Sequence, residues 1–427
     1  MRDDAEAIWT AAMRAVQPER LVASRLLLES SGRLLHDEQP LDPPLQLDEV
    51  DRIVVVGAGK AAAGMAAGIE RLLGPDGLAR HGVTGLVSVP AGCGRSLAAI
   101  EVRETRPARA NLPTPAVVQA TREIMTAVSQ LGPRDLVIAV ITGGGSALLA
   151  APTEGISLDE KIAITRRLSE SGADIATLNA ARKRLSLVKG GGLARACTAG
   201  HLLVLVLSDV IGDDLDVIAS GPCMPPEPSS SPGRWTTPGG CHVQHVIVGD
   251  NGTAVAAAAA AARQAGYTLV HSVDRGGPPE ASAEAVGARL AADATELLTA
   301  ARRDGRPRAL IAGGEATVTV PADHGVGGRN QQSVLAAIDA VKRTGVPWPG
   351  GLLIASVGTD GEDGPTDAAG GYADAVVVAA IERLALDVPR AIARCDAYPL
   401  LGAAGGLIRT GPTGTNVADI RIVLARP

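Results

Sequence analysis

Phenylalanine is absent from this chain, and only three tryptophans and three tyrosines stand among its 427 residues. Core and ligand pockets must therefore be lined by Ala, Val, Leu and Ile, and a nucleic-acid surface built on stacked aromatics is excluded. Basic blocks are missing as well: the net charge is −6, which offers a polyanion no electrostatic footprint. The five cysteines (Cys93, Cys197, Cys223, Cys241 and Cys395) include no Cys-x-x-Cys pair, so neither a zinc knuckle nor a disulfide framework is indicated. The opening Met-Arg-Asp-Asp-Ala-Glu lacks the charged-then-apolar layout of a signal peptide, and no apolar run reaches the length of a membrane span. A cytoplasmic protein is expected, with neither nucleic acid nor membrane as partner.

With 46% hydrophobic and 20% charged residues, the chain can bury a large core, and its length suggests two to three domains. The stretch Arg52-Ile53-Val54-Val55-Val56-Gly57-Ala58-Gly59-Lys60 reads as a buried parallel strand followed by a turn. The turn's amides, beside Lys60 at a helix start, outline an anion site. It is not a Walker loop, because Gly57 stands only two residues before Gly59 and Ala61 follows the lysine. It does satisfy the dinucleotide form Gly-x-Gly-x-x-Ala through Gly57, Gly59 and Ala62, with Asp76 as the candidate ribose partner. The glycines also admit a simpler reading, in which they only let helix and sheet pack.

Residues 4–35 read as two helices, the second starting at Pro18. Residues 85–89, 100–103 and 135–141 read as strands, and 115–130 as a helix. The strand 135–141 runs into Thr142-Gly143-Gly144-Gly145-Ser146-Ala147-Leu148, a glycine loop at the carboxyl edge of the sheet where ligands bind. A serine nucleophile at Ser146 is discarded, since the elbow motif needs Gly where Leu148 stands; Ser146 as a plain helix cap is the alternative. Arg182, Lys183, Arg184 and Lys189 put four positive charges within eight positions, ahead of Gly190-Gly191-Gly192, and suggest an anion cradle or a solvated basic face. The strand 202–207 ends near Asp209 and Asp213, carboxylates suited to Mg²⁺. Residues 225–240, rich in Pro, Ser and Gly, are taken as the linker between domains 1–239 and 240–427. The second half repeats the layout at Gly313-Gly314-Glu315, Gly327-Gly328-Arg329-Asn330-Gln331 and Gly358-Thr359-Asp360-Gly361. It suggests two α/β domains facing each other across a cleft, both lending loops to one site.

Together these loops, with Ser208-Asp209-Val210-x-Gly212-Asp213-Asp214, Ala219-Ser220-Gly221-Pro222, Asp363-Gly364-Pro365-Thr366-Asp367 and Gly411-Pro412-Thr413-Gly414-Thr415-Asn416-Val417, resemble the glycerate kinases that end in a MOFRL domain. Members of that family formerly carried the name hydroxypyruvate reductase. The resemblance implies an α/β fold with an N-terminal Rossmann-like parallel sheet, a C-terminal MOFRL-type α/β domain and an active site in the interdomain cleft. It implies transfer of the ATP γ-phosphoryl group, with Mg²⁺, to a hydroxyl of glycerate, commonly giving 2-phosphoglycerate. Lys60 and Arg329 would be the catalytic cations, and replacing either is expected to abolish turnover while leaving the fold intact. Gly57, Gly59, Gly143, Gly144, Gly145, Ser146, Lys189, Gly190, Asp209, Gly313 and Glu315 would bind the nucleotide, and Asp209, Asp213 and Asp360 would be the metal or acceptor-orienting candidates. The partner implied is a small anionic hydroxy acid, with a homodimer the candidate assembly.

The segment Thr105-Arg106-Pro107-Ala108-Arg109-Ala110 departs from the family's histidine-bearing pattern, and Arg184 stands where the family usually has histidine. Two fixed charges at the acceptor would favour a more anionic hydroxy acid than glycerate. A nicotinamide-dependent reductase is the alternative in another class, and a diverged non-catalytic or regulatory member is a third reading, suggested by the lost histidines.

Overall fold

The computed structural model describes residues 1–108, 112–170, 175–226, 233–272 and 281–427. Arg109, Ala110 and part of the Pro-rich stretch 225–240 lie outside the described residues. Two compact units divide the chain. The N-terminal unit is Gln17–Asp250 with Gly414–Asn416, and the C-terminal unit is Asn251–Thr413 with Met1–Val16 and Val417–Pro427.

Helix α1 (Arg2–Ala15) buries Ile8, Trp9, Ala12 and Met13 on one helical face and belongs to the C-terminal unit. Asp4 fastens it there, accepting hydrogen bonds from the Tyr267 hydroxyl at 2.7 Å and the Arg426 guanidinium at 2.9 Å. The N-terminal unit then begins with α2 (Pro18–Arg25), its proline at the start of the helix as expected. The leucine run that follows does not continue the helix. It forms β1 (Leu26–Leu28), which pairs with β2 (Arg33–His36) and through it with β3 (Gln39–Gln46) in a small antiparallel sheet. Leu26 is buried while Leu27 is half exposed, the alternation of faces of an extended chain.

The main sheet of this unit starts with β4 (Ile53–Ala58), buried at every position, followed by α3 (Ala62–Arg80), β5 (Thr84–Pro90), β6 (Glu101–Arg106) and α4 (Pro115–Val128). After β7 (Leu136–Thr142) come α5 (Gly145–Leu148), α6 (Leu158–Glu170), α7 (Ile175–Arg184) and α8 (Gly192–Ala196). β8 (His201–Leu207), β9 (Arg234–Thr236) and β10 (His242–Gly249) complete the sheet. Its order is β6-β5-β4-β7-β8-β10-β9, and every pair is parallel except β10 with β9. The six parallel strands thus follow the doubly wound order in which the first strand adjoins the fourth, so the chain reverses direction of winding between β4 and β7.

The pairing of β10 with β8, from His242 opposite His201 onward, also corrects the domain boundary expected after residue 239. The Pro-rich stretch is a connection within the unit, and the chain leaves the sheet only at Asp250.

In the C-terminal unit, α9 (Asn251–Gln264), β11 (Thr268–Ser272), α10 (Ala283–Asp304), β12 (Arg308–Gly314), α11 (Arg329–Arg343) and β13 (Leu352–Gly358) come first. β14 (Gly370–Ala373), α12 (Ala375–Arg383), α13 (Val388–Ala393), α14 (Ala397–Ala404), β15 (Leu407–Ile408) and β16 (Asp419–Ala425) follow. The sheet order is β11-β12-β16-β13-β14-β15, with only β11 and β12 parallel. The unit is therefore a mixed sheet and not a second parallel alternation. β16 inserts between β12 and β13, and its first residue, Asp419, lies opposite Gly314 on one side and Gly358 on the other.

The cores are aliphatic, as the composition requires. Val56, Ile124, Ala139, Ile141 and Val204 meet in the N-terminal unit, while Leu290, Leu298, Ile354 and Val423 meet in the C-terminal one.

Candidate active site

In an open parallel sheet, ligands bind outside the carboxyl ends of the strands where the winding reverses. Here the two loops at that point follow β4 and β7, and they are stitched together: the Lys60 N–H donates to the Gly143 carbonyl at 3.0 Å and the Ala61 N–H to Thr142 Oγ1 at 3.2 Å. The Gly59 N–H donates to the Ser88 carbonyl at 3.2 Å. The amides expected to cradle an anion after β4 are thus already occupied. Gly59 is needed for a different reason, since a Cβ there would stand 1.9 Å from Thr142 Oγ1. Gly57 likewise faces β7, so both glycines serve strand contact. Asp76 lies inside α3, beyond a break at Gly74, and not at the end of a second strand where a ribose partner belongs.

The loop after β7 behaves otherwise. Gly144 has a φ of 76° and caps α5, and the N–H groups of Gly144, Gly145 and Ser146 make no hydrogen bond among the described residues. Around these open donors stand cations. Lys60 Cγ and Arg106 Nη2 both come within 4 Å of where a Cβ on Gly144 would sit, at 3.8 and 3.9 Å. Arg106 is buried, with 3% of its surface exposed. Lys189, equally buried, donates from Nζ to Ser146 Oγ at 2.8 Å, to the Ser146 carbonyl at 3.0 Å and to the Ala219 carbonyl at 3.2 Å. Burial, then the charges of Lys161 and Arg182, hold the Lys189 ammonium well below the usual lysine range. Ala219 and Ser220 both have positive φ, 51° and 63°, so the turn that meets Lys189 is held in a conformation non-glycine residues avoid.

The Gly190-Gly191-Gly192 triplet offers no cradle. Its N–H groups donate to the carbonyls of Ser220, Gly221 and Lys189, which fixes the turn and leaves no amide for a ligand.

Carboxylates approach the same loop from β8. Asp209 Oδ2 accepts from Asn416 Nδ2 at 3.2 Å, and a Cβ on Gly143 would stand 2.3 Å from Asp209 Oδ2 and 2.4 Å from Asn416 Nδ2. Gly143 is therefore required by close approach of these two side chains. Burial and the neighbouring charge of Asp250 push the Asp213 carboxyl up, against the hydrogen bond from Ser208. Among the described residues no three His, Cys, Asp or Glu side chains group as a metal cluster.

The C-terminal unit builds a second constellation at the edge where β12 and β13 end and β16 begins. Arg329, the first residue of α11, grips Asp419 through Nε at 2.8 Å and Nη2 at 3.0 Å, and reaches Glu315 through Nη1 at 2.6 Å. Burial opposes the Arg329 charge, but Asp419 and Glu315 outweigh it and hold the guanidinium above its usual range. Burial pushes the Glu315 carboxyl up, with Arg329 opposing and Asp419 and Asp360 reinforcing. Asp363 caps α11 by accepting from the N–H groups of Asn330 at 3.0 Å and Gln331 at 2.9 Å, and Asn330 Nδ2 in turn donates to Asp419 Oδ1 at 3.0 Å. Gly313 is not open to a ligand: a Cβ there would meet Asn251 Oδ1, whose amide nitrogen is anchored on the Val417 and Asp419 carbonyls.

Burial pushes the Asp363 carboxyl up to about 6, against the two backbone N–H groups that favour its charge. An unfolded aspartate titrates near ~3.9, so the native state binds this proton more tightly. The stability this group contributes is full below pH ~4 and is lost as pH rises through about 6. The unfolding free energy of the wild type minus that of Asp363→Asn should therefore fall between pH 4 and 6 in urea titrations. A flat difference would show that Asp363 ionises normally in the fold.

Against known families, residues 4–234 match the "Domain of unknown function (DUF4147)" and residues 308–419 match the "MOFRL family". The chain is 33% identical over 503 residues to the glycerate kinase of Mus musculus, covering 100% of this chain and 94% of that protein. It is 36% identical over 400 residues to the D-glycerate 2-kinase of Thermotoga maritima, covering 88% and 91%. The chain belongs to the MOFRL-domain glycerate kinase family. A crystal structure of glycerate kinase from Thermotoga maritima superposes with a TM-score of 0.77 at 31% identity, covering 100% of both chains. Membership makes this chain a phosphotransferase with an alcohol group as acceptor. No helix among the described residues is long and apolar enough to cross a membrane.

Sequence reasoning missed Asp419, Asp363's capping role and Lys161. Asp419 opens an apolar strand with no motif around it, and only the strand order brings it to Arg329.

Proposed function

We propose that this glycerate kinase family member transfers the γ-phosphoryl group of ATP, with Mg²⁺, to a hydroxyl of glycerate, giving 2-phosphoglycerate. The observation that carries the reading is the run of open N–H groups at Gly144, Gly145 and Ser146, flanked by Lys60, Arg106 and Lys189 where the sheet reverses its winding. Loose phosphoryl transfer asks little covalent chemistry of the protein and depends on positioned positive groups. In this reading the open amides hold phosphate oxygens and Lys60 follows the charge of the transferring group. Arg106 faces the acceptor carboxylate, and Asp209 orients the acceptor hydroxyl. Arg329 is the second catalytic cation of the reading.

The donor set fits Mg²⁺, which is commonly held by one or two carboxylates besides substrate phosphates. Asp209 is partly exposed, and Asp213 carries a charge that burial and then Asp250 disfavour, an arrangement a divalent cation relieves. When bound, Mg²⁺ would neutralise charge on the phosphate oxygens. Arg184 is exposed at the end of α7, so it gives no support to a second fixed charge at the acceptor. One carboxylate, as in glycerate, suits Arg106 alone. A nicotinamide-dependent reductase draws no support from a turn whose amides are occupied and an Asp76 inside a helix.

The test is ADP release coupled to a reporter, with D-glycerate as acceptor and phosphorus NMR of the product. Turnover that needs ATP and Mg²⁺ and gives a secondary phosphate ester is expected. Absence of ADP release with glycerate, alongside NADH-dependent reduction of hydroxypyruvate, would sink the reading.

A further inference from the structure

Ser146 belongs to a side-chain arrangement that none of the glycine motifs accounts for. It stands partly exposed in the first turn of α5, while Lys189 and Ser220, with 3% and 1% of their surface exposed, are buried beside it. Lys189 Nζ lies 2.8 Å from Ser146 Oγ, and Ser220 Oγ lies 3.3 Å from the same atom. Two main-chain carbonyls fix the lysine, that of Ser146 at 3.0 Å and that of Ala219 at 3.2 Å. Ala219 and Ser220 both have positive φ, so backbone strain is spent in bringing this carbonyl and this hydroxyl to the lysine and the serine.

These three partners and Cε complete the tetrahedron around Nζ, and all three are neutral oxygens, which leaves no position for a carboxylate. Burial disfavours an ammonium in such surroundings and holds Lys189 well below the usual lysine range. In the charged form all three contacts are donated by the lysine. An uncharged amine has only two N–H groups and one lone pair. Carbonyls can only accept, so the N–H groups serve Ser146 and Ala219, and the lone pair falls to Ser146 Oγ, whose O–H donates to it. The Ser220 hydroxyl is then free to donate to the same oxygen. A hydroxyl whose proton rests on a base, with that base oriented by further groups, is the signature of an activated nucleophile. The missing elbow motif excluded only a histidine-activated serine. The base here is a lysine 43 residues along the chain, as in Ser-Lys catalysts.

We propose that Ser146, with Lys189 as its base, is a nucleophile that takes the γ-phosphoryl group of the nucleotide when no hydroxy acid is bound. The Ser146 proton passes to Lys189 Nζ, the bond from Oγ to phosphorus forms, the bond from phosphorus to the β,γ-bridging oxygen breaks, and ADP leaves. The products on the protein are a phosphoserine and a lysine ammonium. This inference deepens the kinase reading and rests on it for the donor: there the open Ser146 N–H holds a phosphate oxygen, so the hydroxyl of the same residue stands beside the phosphoryl group. A bound hydroxy acid offers a competing hydroxyl and should suppress the phosphoserine.

The experiment compares the full chain with Ser146→Ala, Lys189→Met and Lys189→Arg in two readouts. The first needs no nucleotide: a fluorophosphonate loses fluoride to a serine whose proton a base accepts, and peptide mass spectrometry locates the adduct. Wild type should label at Ser146, Ser146→Ala should not, and the rate should fall ~10²-fold or more in both Lys189 variants. Arginine keeps the charge and donates to carbonyls but takes up no proton, so a merely structural lysine would let Lys189→Arg label as wild type does. The second readout is incubation with ATP and Mg²⁺ without acceptor. It should phosphorylate Ser146 in wild type and in neither Lys189 variant, with a lower yield when D-glycerate is added. If the Lys189 variants fold poorly, Ser220→Ala replaces them and should label more slowly than wild type; an unchanged rate there overturns the proposal. Wild-type labelling of Lys189→Arg overturns it as well, and so does absence of phosphoserine at Ser146 in protein that turns over D-glycerate. Lys189-dependent labelling in protein that forms no ADP with D-glycerate overturns the kinase reading and leaves the activated serine standing.

Discussion

Replacing Lys60 with alanine is expected to lower kcat by ~10²–10³-fold, about 2.7–4 kcal/mol of barrier, the usual loss when one stabilising group at a developing charge is removed. The fold should not follow, with stability changed by no more than ~0.5 kcal/mol. The bonds that join the two loops run from the main-chain N–H of Lys60 to Gly143 and from that of Ala61 to Thr142, and they survive truncation of the side chain. Lys60→Arg should recover only part of the rate, because a planar fork on a longer side chain does not reproduce a compact ammonium. ADP-release kinetics and urea unfolding on the same preparations make the check. A near-normal kcat for the alanine variant would remove Lys60 from the chemistry, and a matching loss of stability would make it a structural cation.

The N-terminal sheet was legible because parallel strands buried on both faces read as unbroken apolar runs, such as Ile53-Val54-Val55-Val56 and Leu136-Val137-Ile138-Ala139. The loop after β7 could be found for the same reason, since glycine triplets that interrupt such runs mark a strand end. Sequence alone could not say which glycines face a ligand. Gly59 and Gly143 are both required by close approach, one of Thr142 and the other of Asp209 and Asn416, and those neighbours are distant in the chain. The same limit hid Gly190 and Gly313, whose open faces are filled by segments from elsewhere. The mixed C-terminal sheet was not legible, because β16 is the last strand in the chain yet pairs between β12 and β13. Its apolar pattern gives no clue to its neighbours. The place of α1 in the C-terminal unit was likewise set by contacts from Asp4 to Tyr267 and Arg426, more than 250 residues away.

The largest effect on stability is expected from Arg329→Ala, a change that the motif alone would leave without consequence for the fold. Asp419 has no exposed surface, and two of its hydrogen bonds come from Arg329. Truncating the arginine strands that carboxylate with the Asn330 amide as its remaining side-chain partner. Breaking a buried ion pair from one side costs ~3–5 kcal/mol, because the other charge stays without compensation. Stability should therefore fall by about that amount, together with kcat. Adding Asp419→Ala removes the orphaned charge, so the double variant should be more stable than Arg329→Ala alone, with a coupling of ~1–3 kcal/mol in the double-mutant cycle. Turnover should stay lost in the double variant, since the proposed transition-state cation is still missing. Arg329→Lys separates the two roles further: it keeps the charge but loses the two-point grip on Asp419, and should fall between wild type and alanine in stability. Urea unfolding of all four proteins with ADP-release rates measures the outcome. Wild-type stability of Arg329→Ala would refute the pairing, and restored turnover in the double variant would show that Arg329 acts only through Asp419.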